Sequence, residues 1–147
     1  MISCDTNILF AGMNELSSHH RTAKAFLNDY ATSPNFVLCE QTLLELYCVL
    51  RNPIINAPNK PLTAREAVDV ITSLRENAFW AFVDIPSDVS VMANVWAMAS
   101  KDPFAFRRIY DLRLAFTLRH HGVTRFATRN KKDFAGCGFV EVFDPLK

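Results

Sequence analysis

The sequence lacks the motifs by which several large enzyme classes are recognised. Neither GxxxxGK[ST] nor GxGxxG occurs in its 147 residues, and only 4 glycines are present. This argues against a glycine-rich loop that cradles nucleotide phosphates. A phosphatase with an aspartyl nucleophile would need a second aspartate two positions after Asp5, where the chain has Asn7. No serine or cysteine lies in a nucleophile motif, so the residues give no support to covalent catalysis.

Long hydrophobic runs and paired cysteines are also missing. No apolar stretch approaches the roughly 20 residues that a membrane span requires, so we expect no membrane association. The N-terminus begins directly with a strand-like run and has no basic segment, so no secretory signal is predicted. The cysteines (Cys4, Cys39, Cys48 and Cys137) form no CxxC pair, and three of them lie in apolar runs. They are typical of small buried hydrophobes in a reducing compartment, and we expect a cytoplasmic protein.

The composition predicts one folded domain that spans residues 1–147. Half of the residues are hydrophobic and 12 are phenylalanine, so the chain has enough apolar surface for a core. The net charge is only +1, but 8 of the 16 basic residues fall between Arg107 and Lys132, where Asp111 is the only acid. A run of this kind is either a solvated helix face or a surface for a polyanion.

Strand-like and helix-like runs alternate along the chain. Short apolar runs predict strands at residues 1–4, 36–39, 82–85, 125–128 and 139–143. Between them, helical periodicity predicts helices at residues 7–13, 20–30, 42–50, 89–100 and 109–121, and a further helix that begins at Thr63 with Glu66 in a capping box. Residues 51–63 contain three prolines and three asparagines and predict an exposed loop. Strands separated by helices indicate an α/β fold with a mainly parallel sheet.

Four carboxylates follow strand-like runs or lie in the helices after them: Asp5, Glu45, Asp111 and Asp133. In a parallel α/β sheet such positions converge outside the carboxyl ends of the strands. Clustered carboxylates repel one another until a cation neutralises them, and Mg²⁺ prefers oxygen ligands. Four acids can hold one ion, or two if substrate oxygens complete the shells. A bound ion would acidify a water and stabilise charge on a phosphate, so the pattern favours phosphodiester hydrolysis.

Each acid also has a structural interpretation. Asp5 can cap the helix that follows it, and Asp111 can complement a helix dipole. Thr42 and Glu45 have capping-box spacing, and Glu40 is a rival to Glu45 as the functional acid. Asp133 can be a turn residue, and Asp88 and Asp102 also precede helices. The joint placement of the four acids, rather than any one of them, carries the functional hypothesis.

Five short motifs carry a resemblance to a known family. They are SCDTNIL at residues 3–9, QTLLEL at 41–46, YDLRLA at 110–115, HGV at 121–123 and ATRNKKDF at 127–134. In order and spacing the chain resembles the PIN-domain ribonucleases, specifically the VapC-type toxins of type II toxin–antitoxin pairs. The resemblance covers essentially the whole chain. It implies a three-layer PIN-like fold with a central, mainly parallel five-stranded sheet flanked by helices.

The resemblance also implies an endoribonuclease site that depends on Mg²⁺ or Mn²⁺. It assigns catalytic roles to Asp5, Glu45, Asp111 and Asp133, with Asp5 and Asp111 as the core metal ligands. Asn130 is the alternative to Asp133, the fourth of these acids, either as a neutral ligand or as a group that orients water. Supporting polar roles fall to Thr6, Asn7, Thr128 and Asn130.

The resemblance further implies a cognate antitoxin, whose tail would block the site from an apolar groove, and toxin homodimers. Phe79, Trp80, Phe104 and Phe106 are candidates for an exposed groove, with burial in the core as the competing role.

The basic residues beside the proposed ligands are candidates for binding RNA phosphates: Arg113, Arg129, Lys131 and Lys132. RNA shape and unpaired bases, rather than a helix in a groove, would then provide selectivity. The alternative function is a non-catalytic PIN-like module that binds RNA or a protein partner without cutting.

Overall fold

The computed structural model describes all 147 residues. Five strands alternate with helices along the chain: β1 (Ile2–Cys4), β2 (Val37–Cys39), β3 (Ala81–Val83), β4 (Arg125–Ala127) and β5 (Glu141–Phe143). The helices are α1 (Thr6–Met13), α2 (His20–Asp29), α3 (Glu40–Arg51), α4 (Ala64–Arg75), α5 (Ser90–Ala99), α6 (Arg108–His120) and α7 (Lys131–Phe134). None of the helices combines the length and the hydropathy that crossing a bilayer requires.

The strands are parallel and lie in the spatial order β3-β2-β1-β4-β5. Strands β1, β4 and β5 form one sheet and β2 pairs with β3 in a second one. An isolated parallel bridge between Ile2 and Phe36 joins the two. The predicted five-stranded parallel arrangement is therefore confirmed, although β1 and β2 are paired only through that single bridge. Strand β1 occupies the centre, so the residue after it, Asp5, lies in the middle of the carboxyl edge.

Helices cover both faces of the sheet and make three layers. Leu38 of β2 packs into a core formed with α1 to α4, whereas Val37 and Cys39 pack into a second core beneath α5, α6 and α7. This division follows from the strand geometry, in which successive side chains point to opposite faces. The central strands β1 and β2 are buried on both faces, as is typical of parallel sheets, whereas the edge strands β3 and β5 are partly exposed.

Several predicted helix ends are found in the structure. Thr63 and Glu66 form the expected capping box at the start of α4. Gly122, at φ +85°, follows the end of α6, and the N–H of Val123 donates to the Leu118 carbonyl at 3.0 Å. A left-handed glycine at this position closes the helix without the strain a Cβ would add.

Other boundaries differ from the prediction. Strand β3 ends at Val83. Strand β5 begins only at Glu141, and Phe139 before it stacks on Phe126 in the core. Residues 131–134 form a short helix where the sequence predicted a turn. Cys4, Cys39 and Cys137 are buried, whereas Cys48, which lies in an apolar run of the sequence, is exposed.

Candidate active site

A cleft of about 690 Å³ opens at the carboxyl edge of the sheet. Three of the four predicted acids line it, namely Asp5, Glu45 and Asp111. They come from three separate elements: the end of β1, the middle of α3 and the first turn of α6. The remaining lining residues are Thr6, Asn7, Phe10, Gln41, Leu44, Cys48, Val49, Ile55, Tyr110 and Asn130. The cleft therefore has an acidic floor beside an apolar wall, which is formed by Phe10, Leu44, Val49 and Ile55.

Asp5 is buried at 7% exposure and held by hydrogen bonds. One carboxylate oxygen accepts from the Thr6 N–H at 2.7 Å, and the other accepts from Asn7 Nδ2 at 2.8 Å and Thr128 Oγ1 at 2.6 Å. Burial raises the pKa of Asp5 and these donors partly offset it, while the charge of Glu45 raises it further. Asp5 is both the cap of α1 and a member of the cleft, so its structural and functional interpretations are compatible.

Glu45 does not belong to a capping box, and that alternative is wrong. Helix α3 begins at Glu40, directly after β2, with Cys39 as its first flanking residue. Glu45 therefore lies inside the helix, and the hydroxyl of Thr42 has no hydrogen-bond partner. Instead, Glu45 accepts from Thr6 Oγ1 at 3.1 Å and from Gln41 Nε2 at 2.9 Å. Both of its oxygens are thus oriented by groups of the cleft.

Glu40, the rival to Glu45, is outside the cleft. Its carboxylate forms an ion pair with Arg75 of α4. Asp88 and Asp102 are exposed and also lie away from the cleft lining. Asp88 accepts a hydrogen bond from the Ser90 N–H at 2.8 Å at the start of α5. All three acids therefore lie outside the cleft, and Glu40 and Asp88 have structural partners there.

Among the cleft carboxylates, Asp111 has the pKa that is raised most. Partial burial raises its pKa to about 6, with further contributions from the charges of Asp133, Asp5 and Glu45, in that order. The guanidinium of Arg108 opposes them. A carboxylate surrounded by like charges gains most from a bound cation. The electrostatics of the cleft therefore favour a positive ion next to Asp111.

At the fourth position the structure places Asn130, and not Asp133, in the cleft lining. Asp133 is an exposed residue of α7, close enough to influence Asp111 by charge. The backbone N–H of Asn130 donates to Thr128 Oγ1 at 3.0 Å. This bond ties Asn130 to the hydroxyl that also holds Asp5.

The four basic residues predicted to bind RNA fall into two groups. Arg129, Lys131 and Lys132 are exposed, and Arg129 borders a second, polar cleft that shares Asn7 and Asn130 with the acidic one. Arg113 is partly buried, and its guanidinium donates to Gln41 Oε1 at 2.9 Å and lies 3.8 Å from Asp84 Oδ1. Its orientation toward these partners is not that of a phosphate-binding side chain on the open surface.

The sequence reading missed Gln41 and the apolar wall. Gln41 is only 7% exposed and contacts Glu45, Tyr110 and Arg113. A signal was present, because Gln41 lies four residues before Glu45, the spacing at which helical side chains meet. The apolar wall gave no such signal, since its residues follow ordinary helical periodicity.

The four aromatic residues proposed for a groove behave differently from one another. Phe79 and Phe106 are exposed, at 52% and 79%. Trp80 and Phe104 pack against the two cores, and the Trp80 indole N–H donates to the Tyr30 carbonyl at 2.8 Å. None of the four lines the acidic cleft.

Comparison with known proteins identifies the family. The sequence model of the PIN domain matches residues 2–139. The chain belongs to the PIN-domain family. The chain is also 43% identical over 146 residues to Ribonuclease VapC24 of Mycobacterium tuberculosis, covering 99% of this chain and 97% of that protein.

Solved structures share this PIN fold at low sequence identity. The sarcin-ricin loop cleaving toxin VapC20 of Mycobacterium tuberculosis superposes with a TM-score of 0.67 at 17% identity, over 92% of this chain and 95% of that one. A toxin–antitoxin complex from Klebsiella pneumoniae gives a TM-score of 0.60 at 20% identity, over 99% and 98% of the two chains. The expected PIN fold is therefore confirmed.

The oxygen atoms that line this PIN cleft fit a cation that prefers oxygen ligands and keeps part of its water shell. No three His, Cys, Asp or Glu side chains are placed to hold a metal ion among themselves. Zinc sites commonly use three or four such ligands. Mg²⁺, by contrast, is typically bound by one or two carboxylates and keeps several waters or substrate oxygens. Asp5 and Asp111, with the amide of Asn130 nearby, meet that smaller requirement.

Proposed function

We propose that this protein is a VapC-type, metal-dependent endoribonuclease that hydrolyses RNA phosphodiester bonds. The observation that carries the proposal is the convergence of Asp5, Glu45 and Asp111 on one cleft, where like charges help to raise the pKa of Asp111 to about 6. The 43% identity to Ribonuclease VapC24 over nearly the whole chain supports ribonuclease activity.

Asp5 and Asp111 would hold Mg²⁺ or Mn²⁺. When bound, such an ion supplies an acidified water and a positive charge opposite the scissile phosphate. The hydrogen bonds from Thr128, Asn7 and the Thr6 N–H orient the carboxylate of Asp5 and partly offset the rise in its pKa that burial causes. Because these donors are already in place, little reorganisation is needed when substrate arrives.

Glu45 and the fourth position would complete the site. Glu45 is oriented by Thr6 and Gln41, so it can accept a hydrogen bond from water or substrate at a defined place. We propose that Asn130 also orients water or substrate and that Asp133 acts on Asp111 through its charge. Arg129, Lys131 and Lys132 would bind the phosphates that flank the cut.

We propose further that residues 1–147 act as a single domain and as the toxin of a toxin–antitoxin pair. The apolar wall beside the acids, formed by Phe10, Leu44, Val49 and Ile55, supports an amphipathic antitoxin segment that lies in the cleft and blocks it. A toxin homodimer is the expected assembly.

The proposal is tested with purified protein and Mn²⁺. We expect the wild-type protein to cut structured RNA, EDTA to stop the reaction, and Asp5→Asn and Asp111→Asn each to abolish it. Glu40→Gln, prepared in parallel, is the matched control because it neutralises an acid of α3 outside the cleft. If both cleft variants cut like the wild type, the metal-site hypothesis is wrong. RNA binding without cutting by well-folded wild-type protein would support the non-catalytic alternative.

Cleavage mapping on total RNA after induced expression would identify the target. Cleavage sites that appear when the wild-type protein is expressed, but not when Asp5→Asn is expressed, are assigned to this protein. Co-expression of the candidate antitoxin should then remove those sites.

A further inference from the structure

Gln41 makes three hydrogen bonds that connect the proposed active site across two helices. Its amide nitrogen donates to Glu45 Oε1 at 2.9 Å and to the carbonyl of Tyr110 at 2.8 Å. Its amide oxygen accepts from Arg113 Nη1 at 2.9 Å. A primary amide has two donor hydrogens, so both are used. The side chain is buried, and its polar atoms are satisfied within this network.

The partners of Gln41 determine which way its amide points. A guanidinium can only donate, whereas an ionised carboxylate and a backbone carbonyl can only accept. The amide oxygen must therefore face Arg113, and the amide nitrogen must face Glu45 and Tyr110. Arg113 is itself restrained by Asp84, which lies 3.8 Å away. Reversing the amide would break all three bonds.

The same bonds bridge the positions of two cleft acids. The Tyr110 carbonyl belongs to the peptide that leads into Asp111, and Glu45 belongs to α3. The charges of Glu45 and Asp5 both contribute to the raised pKa of Asp111, so the acids repel one another. A carboxylate under such repulsion turns away unless donors hold it. Gln41 and Thr6 are the two side chains that donate to Glu45.

We propose that Gln41, oriented by Arg113, is a positioning residue that holds the carboxylate of Glu45 in register with Asp111. This inference rests on the proposed function, because it concerns a cleft that receives a divalent cation. It also gives Arg113 a role inside the protein in place of direct RNA binding. Through its negative charge, Glu45 would add to the cation affinity of the ligands Asp5 and Asp111. Groups that support metal ligands in this way typically change metal affinity or activity by about 10–100-fold when they are removed.

The test measures binding of Mn²⁺ alone, by calorimetry, together with RNA cleavage. Gln41→Met keeps the length of the side chain and removes its donors and acceptor. We expect this variant to bind Mn²⁺ about 10-fold more weakly than the wild type and to lose kcat by a similar factor. Its affinity for a labelled hairpin RNA in EDTA should be unchanged. Glu40→Gln, on the same turn of α3 but outside the cleft, should match the wild type in all three measurements.

A double-mutant cycle separates positioning from general damage. If Gln41 acts through Glu45, then Gln41→Met combined with Glu45→Gln binds Mn²⁺ no more weakly than Glu45→Gln alone. Losses that add fully would overturn the inference. Arg113→Met tests the same network if Gln41→Met fails to fold. It should weaken Mn²⁺ binding and leave RNA affinity intact, and the reverse pattern would overturn the inference by returning Arg113 to the RNA surface.

The failure of this inference can be told apart from failure of the proposed function. Asp111→Asn is the reference variant. If it cuts RNA like the wild type, the proposed nuclease site is wrong. If it is inactive while Gln41→Met binds Mn²⁺ and cuts like the wild type, the nuclease site stands and only the role of Gln41 is refuted.

Discussion

Asp5, Glu45 and Asp111 bring like charges into one cleft. The three carboxylates differ in the hydrogen bonds and charges that surround them. Asp5 and Glu45 are oriented by hydrogen bonds from side chains or backbone, and those to Asp5 lower a pKa that burial raises. At Asp111 the neighbouring carboxylates act in the other direction and add to the effect of burial. Removing the charge of Asp111 should therefore stabilise the fold while it abolishes the chemistry.

Asp111→Asn should stabilise the metal-free protein at neutral pH. Unfolded Asp111 ionises near 3.8 and folded Asp111 near 6. Between those values the folded state holds the extra proton, so the contribution of Asp111 to the free energy of unfolding falls as pH rises and is lost above about 6. The full difference corresponds to about 3 kcal/mol, and solvent at this partly exposed group reduces the expected gain at pH 8 to about 1–2 kcal/mol.

Urea unfolding in EDTA measures this gain. The two proteins should converge below about pH 4, where wild-type Asp111 is protonated as well. Asp102→Asn removes an exposed acid outside the cleft and is the control for the loss of one negative charge. If Asp111→Asn is no more stable than the wild type at pH 8, the electrostatic description of Asp111 is wrong.

Asn130 and Asp133 should differ in their effects on cleavage. Asp133→Asn removes a charge that contributes to the raised pKa of Asp111, so the acidic limb of the pH–rate profile should move to lower pH with little loss of kcat. Asn130→Ala removes a group that lines the cleft and should reduce kcat by about 10-fold or more without moving that limb. A complete loss of activity in Asp133→Asn, equal to that in Asp5→Asn, would assign the fourth position to Asp133.

At the scale of elements, the boundary between β2 and α3 explains why the capping box predicted for Thr42 and Glu45 is wrong. Sequence periodicity placed the helix start at Thr42 because the apolar pattern becomes clear there. In the structure β2 passes directly into α3, and Glu40 and Gln41 form its first turn. Polar residues in a first helical turn carry no periodic signal, so the boundary depended on where the strand ended. The shift changes Glu45 from a capping residue into a residue of the cleft.

Helix α7 presents two cations beside the cleft, and these should contribute to RNA binding. Lys131 and Lys132 are exposed, and Asn130 immediately before them lines the cleft. Lys131→Ala combined with Lys132→Ala should weaken RNA binding at low salt and reduce the slope of log affinity against log salt by up to about 1.4 for single-stranded RNA. Fluorescence anisotropy in EDTA measures both quantities without cleavage.

A charge-matched control uses lysines that do not line the cleft. Lys24 of α2 and Lys101 after α5 are exposed, and Lys24→Ala combined with Lys101→Ala changes the net charge equally. This control should retain the wild-type salt slope. Unchanged binding in the Lys131 and Lys132 variant at low salt would remove α7 from the RNA surface.

At the scale of the whole molecule, the strand order brings the site together. Strand β1 lies at the centre, with β2 on one side and β4 on the other. Asp5 follows β1, and Thr128 follows β4 and donates to Asp5 across 123 residues of sequence separation. The N–H of Asp5 also donates to the Ala127 carbonyl at 2.9 Å, which continues the pairing of β1 with β4. The candidate site therefore depends on the complete sheet.

Divalent metal should stabilise the folded chain through this site. A ligand that binds only the folded state at 100 times its Kd adds about 2.7 kcal/mol to stability, or about 5–10 °C in Tm for a chain of this size. Mn²⁺ should raise the Tm of the wild type by that amount, and EDTA should reverse it. The double variant Asp5→Asn, Asp111→Asn should show no shift, while Asp102→Asn should show the full one. An equal shift in the double variant would mean that Mn²⁺ binds elsewhere.

The sequence by itself determined the layered α/β fold and the identity of the candidate acids. Apolar runs of strand length alternate with periodic helical segments, and the acids follow strands or lie in the helices after them, so their convergence at one edge is a consequence of parallel topology. Local signals such as the Thr63 capping box and Gly122 were equally readable, because their chemistry acts within a few residues.

The tertiary structure alone decided which groups are neighbours. The choice of Asn130 over Asp133 in the cleft, the pairing of Glu40 with Arg75, and the orientation of Arg113 toward Gln41 each join segments that are distant in the chain or differ by a single turn. Such contacts depend on where each helix begins and how it packs on the sheet. Residue type and spacing limit the possible partners of a side chain, but packing selects one of them.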